Sequence, residues 1–164
     1  MHDRGKPPRP GEIVLDRVPG TGDGPRIAFI GRIRTPWGPG DAPRNLRQAR
    51  ESGKPARILL EPDYAPGLLG LEVGQAIVVF YWMDRARRDL IRQNPRHTDG
   101  VRGTFALRSP VRPNPVSLAT VRITGLDAEA GEIEIDAIDC FDDTPLVDIK
   151  PWLPTIDVPP GADL

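Results

Sequence analysis

Proline and glycine punctuate this chain so densely that long helices have nowhere to form. Twenty prolines and seventeen glycines occur among 164 residues. Each proline fixes φ at about −65° and removes a backbone donor, so a helix interior cannot absorb it. A chain built this way must fold through short strands and many turns. Proline is concentrated in Arg108-Ser109-Pro110-Val111-Arg112-Pro113-Asn114-Pro115. Here Ser109, Arg112 and Asn114 each precede a proline and are biased toward extended backbone. Two guanidiniums and an amide are thus presented from a stiff track. The guanidinium fork matches carboxylate or phosphate, so the track is suited to holding an anion.

Between the breaks, alternating and apolar runs predict strands over residues 12–18, 26–34, 57–61, 76–83, 104–107, 116–123 and 132–138. The run Ile77-Val78-Val79-Phe80-Tyr81-Trp82 is continuous and reads as a buried central strand. Residues 132–138 alternate Glu and Ile, which gives a half-buried strand with an acidic outer face. Ala86 and Leu90 predict a short helix over 84–93, ended before Pro95, and residues 41–53 hold one helical turn. No repeat of roughly 20–50 residues is visible, which excludes solenoids and propellers. The expectation is an all-β sandwich or barrel spanning 26–153, with loosely docked tails at 1–25 and 154–164.

Charged residues are 27% and apolar residues 38% of the chain, which describes a globular body rather than a disordered one. The net charge of −1 hides an asymmetry. Residues 84–112 carry eight arginines against three aspartates, whereas residues 113–164 carry two basic against eleven acidic residues. The basic stretch either meets an anionic partner or pairs with the acidic second half. Cys140 is the lone cysteine, which fits a reducing compartment and makes the cytoplasm the expected location. There is no apolar run of about 18 residues to cross a bilayer as a helix. The opening Met1-His2-Asp3-Arg4-Gly5-Lys6 does not read as a secretory signal.

Several chemistries lack their residues. No G-x-G-x-x-G follows a strand, so a Rossmann cofactor site is not expected. No Walker A sequence is present. Two histidines and one cysteine cannot build a structural zinc site, so no metal is expected. A Ser-His-Asp hydrolase would rest on His97 alone, without a nucleophile elbow, and His97 reads as a loop residue. Pro110-Val111-Arg112-Pro113 fits a P-x-x-P ligand, but its place between two predicted strands argues against that use.

A second constellation lies at Asp136-Ala137-Ile138-Asp139-Cys140-Phe141-Asp142-Asp143-Thr144-Pro145-Leu146-Val147-Asp148-Ile149-Lys150-Pro151-Trp152. On its own it reads as a solvated acidic edge with a turn at 142–145. Together with the proline track, with Ile30-Gly31-Arg32-Ile33-Arg34-Thr35-Pro36-Trp37, with Ala42-Pro43-Arg44 and with Gly70-Leu71-Glu72, it resembles the TrmO (TsaA/YaeB-like) family. The likeness runs in the family's order from about residue 26 to 153. Asp143 stands where that family has glycine, and Asp84 where it often has histidine.

The resemblance implies a small single-sheeted β-barrel with short helical insertions, acting as a homodimer. It implies S-adenosylmethionine-dependent methylation of N6 of threonylcarbamoyladenosine beside the tRNA anticodon, with tRNA as substrate. By motif position, cofactor contacts fall on Asn45 and Leu46, on Met83 and Asp84, on Arg108, on Leu118, and on Asp136, Ala137, Ile138 and Asp139. Asp139 and Asp142 are the carboxylates placed to take a proton. Longer bacterial members carry a further C-terminal domain that this sequence, ending at Leu164, does not show. Two alternatives follow: the same fold and cofactor acting on a small molecule or other acceptor, and a non-catalytic nucleotide- or partner-binding module.

Overall fold

The structure, a computed structural model, describes residues 7–16, 19–96 and 99–162; His97 lies outside them. In chain order the elements are β1 (Ile13–Val14), β2 (Gly31–Arg34), α1 (Leu46–Glu51), β3 (Ala56–Leu60), β4 (Ala76–Trp82), β5 (Leu90–Gln93), β6 (Arg102–Gly103), β7 (Val116–Asp127), β8 (Glu132–Ile135), β9 (Thr144–Pro151) and α2 (Pro154–Asp157). Two 3₁₀ segments occupy Pro62–Leu68 and Thr104–Ala106. Six strands close into a barrel in the order β2-β3-β8-β7-β4-β9, and β1-β5-β6 form a separate three-stranded sheet. The chain divides into two compact units, residues 1–27 with 82–117, and residues 28–81 with 118–164. The first contains the small sheet. The second contains the barrel, apart from the last residue of β4 and the first two of β7.

Strand alternation builds the barrel core. Ile33, Ile58, Ile77, Val79, Val121, Ile123, Ile133 and Ile135 are all 2% exposed or less. These β-branched side chains suit a pleated wall, and each contributes roughly 1.5–3 kcal/mol on full burial. β4 departs from the continuous burial that its sequence suggests: Ile77, Val79 and Tyr81 face inward while Val78 and Phe80 are half-buried. An antiparallel strand leaves one face for water. Across the ladder, Val78 lies opposite Lys150 and Phe80 opposite Asp148. Between β2 and β3 the backbones approach so closely that a Cβ on Gly31 would stand 2.2 Å from the Leu59 carbonyl oxygen. Only glycine fits there.

Three elements differ from their predicted form. Residues 84–93 are a turn followed by β5, not a helix. Arg87 closes the turn by placing Nε 2.8 Å and Nη2 2.9 Å from the two carboxylate oxygens of Asp89. Side chains two residues apart point away from each other on a helix, so this local fork is incompatible with one. Residues 104–106 form a 3₁₀ turn rather than a strand. There the Thr104 hydroxyl donates to the Leu90 carbonyl and accepts from Gln93 Nε2, at 3.0 and 2.9 Å. β9, finally, runs through the segment that reads as an acidic edge. Leu146 is its fully buried member, and Pro145 and Pro151 stand near its ends.

Candidate functional site

In the barrel unit, residues 136–143 leave β8 and are strapped down by residues 34–37. The Trp37 indole N–H donates to the Ile138 carbonyl at 2.8 Å, and the Thr35 hydroxyl to the Cys140 carbonyl at 3.0 Å. Thr35 N–H donates to Asp142 Oδ1 at 3.0 Å, and Arg34 forks onto both Asp142 oxygens at 2.9 Å each. Burial pushes the Asp142 carboxyl up, but the Thr35 amide and the Arg34 guanidinium outweigh it and hold the group below the usual range. Both Asp142 oxygens are committed to fixing the loop. Cys140 is buried and its thiol is pushed up to about 12, chiefly by burial, which leaves it chemically inert.

Asp136 is also a brace. Its Oδ1 accepts the Arg122 amide at 2.7 Å and its Oδ2 the Arg50 Nε at 3.1 Å. Arg50, from α1, also donates to the Thr120 carbonyl at 2.6 Å. This ties α1 to β7 and to the 136–143 loop. Asn45 caps α1, its Oδ1 accepting from Gln48 N–H at 3.0 Å, with Leu46 half-buried behind it. Leu118, in β7, is 43% exposed.

Between these clamps lies a short polar strip. Ala137 and Ile138 are buried as whole residues, at 0% and 1% exposure, and Asp139 is the partly exposed member of the strip. Among the described residues, the N–H groups of residues 137–139 donate to nothing. Asp139 is half-buried; its Oδ1 accepts the Tyr81 hydroxyl at 3.1 Å, and its Oδ2 takes no hydrogen bond from the described residues. Strand-end backbone polar groups without partners beside a half-open carboxylate are the donors and acceptors that a nucleoside requires. The strip therefore fits the adenosine end of S-adenosylmethionine.

In the other unit the proline track is fixed by its own arginines. Arg112 donates from Nε to the Ser109 carbonyl at 2.8 Å and from Nη2 to the carbonyls of Thr104, at 3.3 Å, and Leu107. Arg88 donates to the Pro113 carbonyl at 2.6 Å and to Asn114 Oδ1 at 3.2 Å, with its guanidinium 5.3 Å from the Trp82 ring. Gln93 Nε2 holds the Val111 carbonyl at 2.6 Å. Met83 N–H donates to the Pro115 carbonyl at 2.9 Å. Asp84 and Arg108 are exposed.

Sequence spacing gives Thr35, Trp37, Arg34 and Tyr81 no role in the site. Their partners are more than fifty residues away along the chain, and no local spacing reveals such bonds. Among the described residues no group of three or more His, Cys, Asp and Glu could hold a metal. Among the same residues no helix is long and apolar enough to cross a membrane.

A closed antiparallel barrel of six short strands defines a small β-barrel protein, unrelated in architecture to the Rossmann sheet. The model of the tRNA-methyltransferase O N-terminal domain matches residues 32–158, and the chain belongs to this TrmO family. It is 35% identical over 144 residues to VirR of Rhizobium radiobacter, a probable S-adenosyl-L-methionine-binding protein, covering 87% of this chain and 78% of that one. An S-adenosyl-L-methionine-binding protein of Archaeoglobus fulgidus is 40% identical over 129 residues, 78% of this chain and 89% of its own. A tRNA (adenine(37)-N6)-methyltransferase of Eikenella corrodens is 41% identical over 61 residues, 37% of this chain and 35% of its own. The crystal structure of TrmO from Pseudomonas aeruginosa superposes with a TM-score of 0.66 at 26% identity, covering 85% of this chain. The chain spans 61% of that protein's length.

Proposed function

We propose that this protein is an S-adenosylmethionine-dependent methyltransferase that acts on N6 of threonylcarbamoyladenosine next to the tRNA anticodon, as a homodimer in the cytoplasm. The observation that carries the reading is the strip at 137–139, where unpaired backbone groups adjoin the open oxygen of Asp139. The family's cofactor-binding relatives supply the identity of the nucleoside. The methyltransferase relative supplies the acceptor class.

The cofactor brings an electrophilic methyl group on a sulfonium. Bound there, it would give up that methyl to N6 of the acceptor, which in turn would release a proton. The chain's own residues orient and exclude water, which supplies most of such a rate. Residues 137–139, open at Asp139, hold the adenosine edge. Asn45 and Leu46, Asp136 and Leu118 shape the barrel side; by motif position Met83, Asp84 and Arg108 are further cofactor contacts of the family, with Arg108 taking the methionine carboxylate. Asp139 Oδ2 accepts the proton, and Asp142, clamped by Arg34, positions the loop. The exposed Arg85, Arg92, Arg96 and Arg102 take tRNA phosphates.

Calorimetric titration with S-adenosylmethionine, followed by nucleoside mass spectrometry of tRNA incubated with protein and cofactor, tests this. Saturable binding and an N6-methyl mark only on threonylcarbamoylated tRNA are expected. Absence of cofactor binding at near-millimolar concentration overturns the enzyme reading. A mark on tRNA that lacks the threonylcarbamoyl group overturns the acceptor, and sedimentation as a monomer overturns the dimer.

A further inference from the structure

We propose that Phe105 is a fixed stacking platform for a base of the tRNA loop. The inference rests on the tRNA reading above and adds to it a recognition residue that the cofactor site does not contain. Phe105 is 81% exposed, although burying a phenylalanine is worth roughly 1.5–3 kcal/mol. Its exposure is built in, because the turn that carries it is fixed from three sides.

Thr104, 1% exposed, anchors one end through its bonds to Leu90 and Gln93. Leu107 N–H returns to the Thr104 carbonyl at 3.2 Å, and Arg112 Nη2 grips the carbonyls of both Thr104 and Leu107. A ring held on such a turn loses little freedom when a ligand stacks on it, so binding costs less.

Charge around the ring selects a polyanion. Arg102, exposed, lies three residues before Phe105. Arg92 pairs with Gly103 across the β5–β6 ladder and is exposed, and its side chain has no ion pair or hydrogen bond among the described residues. Of the three aspartates in residues 84–112, Asp89 is already neutralised by Arg87. An exposed aromatic with exposed arginines nearby in the same sheet and turn matches the alternation of base and phosphate in a single-stranded loop.

The test uses the full chain and an anticodon stem-loop RNA carrying threonylcarbamoyladenosine. Phe105→Ala is expected to weaken RNA binding roughly 5- to 150-fold, the range for loss of one base–aromatic stack. S-adenosylmethionine affinity, melting temperature and the salt dependence of RNA binding should stay unchanged. Phe105→Tyr, which keeps the ring, should bind as the wild type does. Arg92→Ala should instead lower the salt slope by about 0.7–0.9, the value for one phosphate contact. If the wild type methylates tRNA and Phe105→Ala binds RNA equally well, the platform is wrong while the functional reading stands. If the wild type neither binds nor methylates tRNA, both fall. A Phe105→Ala variant that keeps RNA binding but loses self-association makes the residue a contact between copies and overturns the platform.

Discussion

Arg34 and Asp142, 108 residues apart, meet in a two-pronged ion pair with both N···O distances at 2.9 Å. The pair joins the end of β2 to the loop that leads into β9, and the Thr35 amide adds a third bond to the same carboxylate. Because burial is outweighed by these partners, the carboxyl is held lower in the folded protein than in the unfolded chain. An aspartate of that kind stabilises fully above its unfolded value of about 3.9 and stops contributing as pH falls through the lower folded value. The pair is partly exposed, so screening limits it. Asp142→Asn should cost roughly 1 kcal/mol at pH 7. The gap to the wild type should close as pH drops below about 4 in urea melts. A gap unchanged at pH 2.5 would contradict the pairing.

Arg112 spends its guanidinium on three backbone carbonyls of its own loop. Lysine keeps the charge but cannot span three acceptors from one planar fork. Arg112→Lys should therefore destabilise by roughly 2 kcal/mol, the scale of hydrogen bonds to a charged group, as read from the urea midpoint. Arg108→Lys, at an exposed position, should leave the midpoint within about 0.5 kcal/mol. Equal effects at the two positions would argue against a bracing Arg112.

These bonds mark where the sequence stopped being legible. β2, β3, β7 and β8 follow from alternation because a buried residue recurs at every second position, Gly31 and Ile33 in β2, Ala56 and Ile58 in β3, Val121 and Ile123 in β7, and Ile133 and Ile135 in β8. The barrel class followed from the family motifs, and the closed strand order bears it out. β9 is concealed because Asp142 and Asp143 precede it and prolines lie near both ends, so its alternation is short. The apparent helix at 84–93 arises because Ala86 and Leu90 happen to stand four apart, while Arg87 and Asp89 dictate a turn. The proline track looked like an anion holder, yet Arg112 turns inward to carbonyls. Its role depends on where the chain returns in space, and spacing along the sequence does not record that.

Asp143 adopts φ +67°, alone among the described non-glycine residues in the left-handed region. Its amide donates to the Ile33 carbonyl at 2.9 Å, which fixes the turn in that conformation. Aspartate tolerates it better than most residues, at some cost. Asp143→Gly relieves the strain but loosens the unfolded chain and removes a weak 3.9 Å ion pair with Arg32. The balance favours glycine by roughly 0.5 kcal/mol. Asp143→Val, β-branched at positive φ, should lose more than 1 kcal/mol. Thermal melts of both variants check the order glycine, aspartate, valine.

Tyr81 orients Asp139, the carboxylate assigned to the N6 proton. Its ring is 4% exposed and forms part of the barrel wall, and its hydroxyl holds Oδ1 at 3.1 Å, so Oδ2 is the oxygen left to act. Asp139→Asn preserves shape but removes the acceptor, and kcat should fall roughly 10²- to 10⁴-fold, the usual contribution of a positioned base. Tyr81→Phe keeps the packing and removes only the hydroxyl. Asp139 then samples more orientations, and kcat should fall roughly 10-fold through lost alignment, with S-adenosylmethionine affinity little changed. Combined in one protein, the two changes should cost no more than Asp139→Asn alone, because a hydroxyl that acts only through the carboxylate has nothing left to orient. Additive losses in the double variant would mean that Tyr81 acts separately. An Asp139→Asn enzyme with wild-type kcat would remove Asp139 from the proton transfer altogether.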